Sequence, residues 1–239
     1  MKKNHYSKYQ ILNSPDQFKH LTKFYKIISV LWGVNDGLDE FYINIAPISQ
    51  SIEAALQMSD EEFSSQRNEF MRLCICIKGV SVGFSSPKPY QFFFEWFYPT
   101  YFEVIKKGFK CFSEDGQVIG SLCELMSELL DTRQSRNKLE TSTMTGFLLF
   151  QEISGLLLEF FEYKQMFTNY VPRKDKYNEK YQFIHHAIVI FHHCITGQFV
   201  NFAVCEYYKD MQFVNFSKLI FQLISIQDFQ EFSSFTIML

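Results

Sequence analysis

The sequence contains few of the residues that close turns and break helices. Only 10 glycines and 6 prolines occur among 239 residues, which argues against a β-sandwich, since that fold needs turn residues roughly every 8–12 positions. The chain also lacks a surplus of basic residues, because 23 Lys and Arg face 26 Asp and Glu for a net charge of −3. Nucleic acid is therefore not an expected partner, since phosphate binding requires clustered positive charge.

Motifs of catalysis are missing as well. The sequence has no GxxxxGK[ST], GxGxxG or GxSxG string, so neither a phosphate loop nor a nucleophile elbow is predicted. The acidic pairs Glu124/Glu128 and Glu159/Glu162 are predicted to lie on solvated helix faces. We expect no catalytic residue, no cofactor and no enzymatic activity.

The cysteines do not follow a metal-binding or disulfide pattern. No CxxC pair occurs, and the six cysteines stand at positions 74, 76, 111, 123, 194 and 205. Lone cysteines in apolar runs are typical of small buried side chains in a reducing compartment. The N-terminal MKKNHYSKYQ has no apolar stretch after its lysines, so a secretory signal is not predicted.

Two histidine pairs, His185/His186 and His192/His193, are the most suggestive polar pattern. Seven positions correspond to about 10.5 Å along a helix, which is too far for the two pairs to share one metal ion. We predict a satisfied or partly exposed histidine stripe. The segment 183–204 lacks charged residues and is long enough to cross a bilayer. Its histidines, Gln198 and Asn201 are costly in hydrocarbon, so a buried helix is predicted instead.

Apolar residues recur at spacings of three and four along the whole chain, which is the helical period. Ser14-Pro15 and the Ser59/Glu62 capping box mark helix starts, and Pro47 predicts a kink or a start. The stripes include Phe41, Ile45, Ile48, Ile52 and Ala55; Phe63, Phe70, Leu73, Ile77, Val80 and Phe84; and Val118, Leu122, Leu125 and Leu129.

These patterns predict an all-α fold, an α-α superhelix of the HEAT or armadillo type with about ten helices in one array over 1–239. Helix pairs begin near residues 15, 60 and 115, close to the roughly 40–47-residue period of such repeats. The polar segments 132–146 and 168–178 are predicted as longer loops. Arg173, Lys174 and Lys176 in the second loop are weak candidates for binding an acidic partner, with a solvated surface loop as the alternative.

Several strings are more specific than a helical period. Lys78–Phe84 (KGVSVGF), Phe94–Tyr101 (FEWFYPTY), Leu122–Arg136, Gly146–Glu152 and Gly197–Val204 (GQFVNFAV) occur in this order. Together they resemble the C-terminal third of exportins of the exportin-seven type, in the importin-β superfamily. The resemblance covers most of residues 35–225.

The resemblance implies a segment of a nuclear transport receptor that carries protein cargo through nuclear pores. It also implies Ran-GTP as a partner of the full-length receptor, contact with nuclear pore proteins, and shuttling between nucleus and cytoplasm. The alternative is a generic helical-repeat scaffold for protein–protein interaction. Because solenoid ends need polar caps, and neither terminus supplies an obvious one, we expect exposed apolar surface at one or both ends.

Overall fold

The computed structural model describes residues 18–34, 38–137, 145–164, 181–199 and 211–225. Within these ranges the chain forms ten α-helices and no strand, which confirms the all-α prediction. A 3-10 turn over Arg133–Ser135 follows the seventh helix. The helices are α1 Phe18–Val34, α2 Leu38–Gln57, α3 Asp60–Ser65, α4 Arg67–Gly83, α5 Pro87–Phe97, α6 Glu103–Cys111, α7 Gly116–Leu129, α8 Thr145–Lys164, α9 Gln182–Thr196 and α10 Gln212–Ile224.

The helices stack in two layers. In one layer α1 packs on α4, α4 on α7 and α7 on α9. In the other, α2 packs on α6 and α8 on α10, while Phe109 of α6 meets Phe160 of α8 with ring centroids 5.3 Å apart. The first layer contacts the second where α1 meets α2, α6 meets α7 and α9 meets α10. This arrangement of stacked helix pairs is that of an α-solenoid, as the sequence predicts.

Local signals explain several helix boundaries. Ser59 caps α3, since its hydroxyl accepts from the Glu62 amide while the Glu62 carboxylate accepts from the Ser59 amide at 3.0 Å. This reciprocal pair is the predicted capping box. Asp115 caps α7 by accepting from two amides of its first turn. Pro47 lies inside α2, so the prediction that it marks a helix start is wrong. The predicted start at Ser14-Pro15 lies outside the described residues.

The predicted apolar stripes form the core. All members of the stripes in α2, in α3 and α4, and in α7 are buried. The stripe of α1 is less enclosed, since Leu21 and Trp32 are buried whereas Tyr25 and Ile28 are half-buried. The helical period therefore identified the inward face of these helices, and the stripe of α1 is less covered than those of α2, α4 and α7.

Two glycines allow α1 and α4 to pack closely. Gly79 and Gly83 lie one turn apart on the face of α4 that contacts α1. A Cβ added at Gly79 would stand 2.9 Å from the Thr22 carbonyl, and one at Gly83 would stand 2.7 Å from the Lys26 carbonyl. Both glycines belong to the KGVSVGF string, so this part of the resemblance encodes helix packing.

Candidate partner-binding surfaces

A buried polar cluster closes the carboxyl end of α7. The Arg136 side chain is 0% exposed, and its guanidinium donates to the carbonyls of Asp131 at 2.8 Å and Ser81 at 2.7 Å. It also donates to the Glu128 carbonyl and, at 2.9 Å, to the Glu128 carboxylate. Positive charge stabilises the free carbonyls of a helix end. Arg136 thereby joins the ends of α4 and α7.

Neighbouring side chains complete the same cluster. The Tyr90 ring lies 4.5 Å from the Arg136 guanidinium, and its hydroxyl donates to the Leu129 carbonyl at 2.6 Å. The Asn137 amide donates to the same carbonyl at 2.7 Å. Arg133 pairs with Glu128 at 2.5 Å and also with Asp131. Apart from Arg133, whose side chain is 34% exposed, the cluster is enclosed, and its donors face carbonyl and carboxylate oxygens of this chain, so its role is structural.

The observed environment of Glu128 differs from the predicted one. The sequence predicts a solvated position for it, but the residue is buried against Arg136 and Arg133. Burial raises the pKa of the Glu128 carboxyl, and the two guanidinium groups oppose that shift. The helical pattern failed here because the loop after α7 folds back over the helix, which periodicity within one helix does not reveal.

The FEWFYPTY string also serves packing. Trp96 is buried, and its indole N–H donates to the Ser49 hydroxyl at 3.0 Å, across the gap to α2. The Tyr98 hydroxyl lies 3.2 Å from the Glu152 carboxylate of α8, and the Tyr101 hydroxyl donates to Glu53 of α2 at 2.6 Å. These amphipathic rings connect α5 and the turn after it to the neighbouring helix pairs.

The histidine stripe of α9 faces α7 on one side and the solvent on the other. His186 Nδ1 is 3.2 Å from the Ser127 hydroxyl, and His192 is exposed. Burial lowers the pKa of His186 to about 4, and it lowers the pKa of His193, whose Nδ1 is buried without a hydrogen-bond partner. The predicted satisfied or partly exposed stripe is confirmed for His186 and His192.

Four cysteines, Cys74, Cys76, Cys111 and Cys123, are free thiols. Cys74, Cys76, Cys123 and Cys194 are buried, and Cys111 is half-buried. Burial raises the pKa of Cys76 to about 12, which disfavours the reactive thiolate. Across the described ranges, no three His, Cys, Asp or Glu side chains are grouped closely enough to hold a metal ion. None of the described helices has the length and apolarity needed to cross a bilayer.

An apolar groove of about 600 Å³ is lined by side chains of α1, α2, α3 and α4. Its floor is formed by α3 and α4, with Phe70 and Leu73 among its lining residues, and Ile43 stands on its rim with 70% of its surface exposed. Glu69 and Arg72 lie beside it, joined at 2.6 Å. We call this surface the first-pair groove. A concave apolar surface with a few polar groups is suited to binding a helix or an extended peptide.

Among the described residues, large exposed apolar side chains occur only in α1, α2, α9 and α10 and at the residue before α10. In the part of the chain that the structure describes, α3 to α8 contribute none. The exposed apolar side chains are Ile27, Val30 and Leu31 of α1, Tyr42 and Ile43 of α2, Ile195 of α9, Met211 just before α10, and Val214 and Phe221 of α10. The exposed apolar surface of the described residues therefore lies on these outer helices, whereas the terminal residues 1–17 and 226–239, on which the expectation rested, lie outside the described residues.

Arg173, Lys174 and Lys176 lie outside the described residues, as does the predicted loop 168–178. The first-pair groove was missed by sequence reasoning. The α1 side chains that line it, among them Tyr25 and Ile28, follow the same helical spacing as a core face, so the pattern did not distinguish a groove lining from a core face.

The fold and these surfaces define a helical-repeat protein whose resemblance strings serve packing between repeats. Comparison with known proteins makes the class more specific. The chain is 28% identical to Exportin-7 of Dictyostelium discoideum over 220 residues, which cover 91% of this chain and 22% of that protein. It is 26% identical to Ran-binding protein 17 of Mus musculus, over 83% of this chain and 18% of that protein.

A third relative is Exportin-7-B of Xenopus laevis, 25% identical over 79% of this chain and 18% of that protein. These matches confirm the resemblance to exportin-seven-type proteins. The chain spans about a fifth of the length of the curated relatives it matches. No protein-family model matches the chain, and no solved structure matches it significantly.

Proposed function

We propose that this chain is a segment of an exportin-type nuclear transport receptor and forms part of the helical array that binds protein cargo. In this proposal, cargo affinity depends on Ran in its GTP form through the full-length receptor. That receptor contacts nuclear pore proteins and shuttles between nucleus and cytoplasm. The observation that carries the proposal is the match to Exportin-7 over 91% of the chain.

The packing role of the matched strings supports the same proposal. KGVSVGF sets the α1–α4 distance, and FEWFYPTY connects α5 to α2 and α8. A generic helical scaffold needs close packing, but not these particular strings in this order. The proposal assigns the segment a structural part within a receptor and no catalytic role.

A chimera tests the proposal in cells. The aligned stretch of Dictyostelium Exportin-7 is replaced by the matching 220 residues of this chain, and the chimera is expressed in Dictyostelium cells depleted of their own Exportin-7. We expect the chimera to restore nuclear export, since the segment should preserve the helix pairs that neighbouring repeats contact.

The matched control carries an unrelated helical-repeat segment of equal length at the same position. Rescue by this chain and not by the control supports the transport proposal. Equal rescue by both would favour the generic scaffold. A chimera that folds, as judged by a cooperative thermal melt, yet leaves export unrestored would contradict the proposal.

A further inference from the structure

Polar side chains recur along the contact between α7 and α9, which we call the α7–α9 seam. His186 Nδ1 is 3.2 Å from the Ser127 hydroxyl, and the Thr196 hydroxyl is 3.4 Å from that of Thr132. His193 falls on the same side of α9 as these two residues, because the helix turns by about 100° per residue. Two histidines of the seam therefore lie between packed helices in the middle of the described stack.

His186 fits the seam as a neutral imidazole. The Ser127 hydroxyl donates to the Glu124 carbonyl at 2.9 Å, so it accepts from His186, and Nδ1 carries the ring's single proton. A second proton on Nε2 would make the ring a half-buried cation. Its charged or titratable neighbours are Glu124, His185 and Lys78. The Glu124 carboxylate attracts that proton, but it is already paired with Lys78 at 2.6 Å, and burial outweighs it.

His193 meets α7 at its carboxyl end, where two guanidinium groups are close. Its Nδ1 is buried and has no hydrogen-bond partner. The charged or titratable groups around the ring are Asp131, His192, Arg136 and Arg133. The Asp131 carboxylate is already paired with Arg133. A protonated His193 would therefore add a third cation to a site whose nearest carboxylate is already used.

We propose that the α7–α9 seam is a pH-sensitive contact, in which protonation of His186 and His193 separates α9 from α7 while α4 and α7 stay packed. The helices of the α4–α7 contact, Arg67–Gly83 and Gly116–Leu129, contain no histidine, so mild acid should not open that contact. α10 also packs on α9, and its one charged residue, Lys218, is exposed. This inference does not depend on the transport proposal.

The expected effect follows from the difference in proton affinity between the closed and the open seam. Burial lowers the pKa of His186 from 6.5 to about 4, and separation of the helices returns the ring to water. The closed seam binds fewer protons than the open one in acid, so its stability is lost as pH falls below about 6.5. Between pH 7.5 and 5, the equilibrium constant for opening should rise roughly 25-fold from His186 alone. Protonation of His193 should increase this change.

Hydrogen–deuterium exchange of chain 1–239 at pH 7.5 and 5, read by peptide mass spectrometry, tests the proposal. After correction for the intrinsic pH dependence of exchange, protection of α9 amides should fall at least about tenfold, and that of α4 amides less than about threefold. His186→Gln combined with His193→Gln should abolish the fall in α9, because glutamine stays neutral and keeps a donor. His186→Asn with His193→Asn provides a second neutral pair if the first does not fold.

The matched control is His192→Gln, which removes an exposed histidine of the same helix. This variant should lose α9 protection in acid as the wild type does. Equal losses in α9 and α4 would indicate general acid unfolding and would overturn the proposal. A loss in α9 that persists in a folded double variant, or that the control abolishes, would overturn it as well.

Discussion

Replacing Arg136 by Met should destabilise the fold strongly, because the change removes the cation from the buried end of α7. The Ser81 carbonyl loses its Arg136 donor, the Asp131 carbonyl keeps only the Asn137 amide, and the Glu128 carboxylate keeps only its contact with Arg133. Breaking a buried ion pair on one side costs about 3–5 kcal/mol. We take the lower end, about 3 kcal/mol, because Arg133 remains. With an m-value of about 2–3 kcal/mol/M, the midpoint of urea unfolding should fall by about 1 M.

Circular dichroism during urea titration measures this shift, and Arg67→Met is the matched control. Arg67 pairs with Asp115 at a position where 36% of its side chain is exposed, so its loss should cost no more than about 1 kcal/mol. Adding Glu128→Gln to Arg136→Met should recover part of the stability, since the unpaired charge is then removed. A loss below about 1 kcal/mol for Arg136→Met would refute the structural role of the cluster.

The pH dependence of the same variant gives an independent check. Burial already raises the pKa of Glu128, and loss of Arg136 should raise it further. A carboxyl whose pKa is higher in the folded than in the unfolded state destabilises the fold at high pH, and this effect is relieved as pH falls through the folded pKa. The deficit of Arg136→Met relative to wild type should therefore be smaller at pH 5 than at pH 8.

Three further predictions concern other parts of the stack. Gly83→Ala should lower stability by about 1–2 kcal/mol because its Cβ meets the backbone of α1. Gly155→Ala should be neutral or stabilising in the same urea titration, because the atom nearest to its added Cβ is 3.4 Å away. Equal effects of the two glycine substitutions would contradict this account of α1–α4 packing. His186 has its pKa lowered to about 4 by burial, so the unfolded state takes up its proton first and stability is lost as pH falls below about 6.5. His186→Gln should reduce the fall in melting temperature between pH 7.5 and 5, and an unchanged slope would count against burial of this ring. In the folded protein, mass spectrometry after alkylation should show Cys111 labelled before Cys123, because Cys111 is half-buried and Cys123 is buried; simultaneous labelling would contradict this difference.

Helix positions and core faces followed from sequence because they depend on local periodicity. Stripes such as Phe41 to Ala55 are buried as expected, and the Ser59 cap forms as its sequence indicates. Contacts between elements that are distant in the chain could not be predicted in the same way. No pattern in the sequence indicates that Arg136 binds the carbonyl of Ser81, which is 55 positions away. Likewise, the first-pair groove is lined by side chains of four helices, α1 to α4, whose arrangement no single stripe encodes.

The most direct test of the proposed receptor role is a calorimetric titration of Ran into a chimera of mouse Ran-binding protein 17. The stretch of that protein aligned with 203 residues of this chain is replaced by those residues, and the isolated chain 1–239 is titrated in parallel. We predict that the chimera binds Ran-GTP within about tenfold of the unaltered protein and binds Ran-GDP far more weakly, whereas the isolated chain binds Ran-GTP weakly or not at all. A folded chimera that no longer distinguishes the two nucleotide states, or sub-micromolar GTP-dependent binding by the isolated chain, would contradict the account.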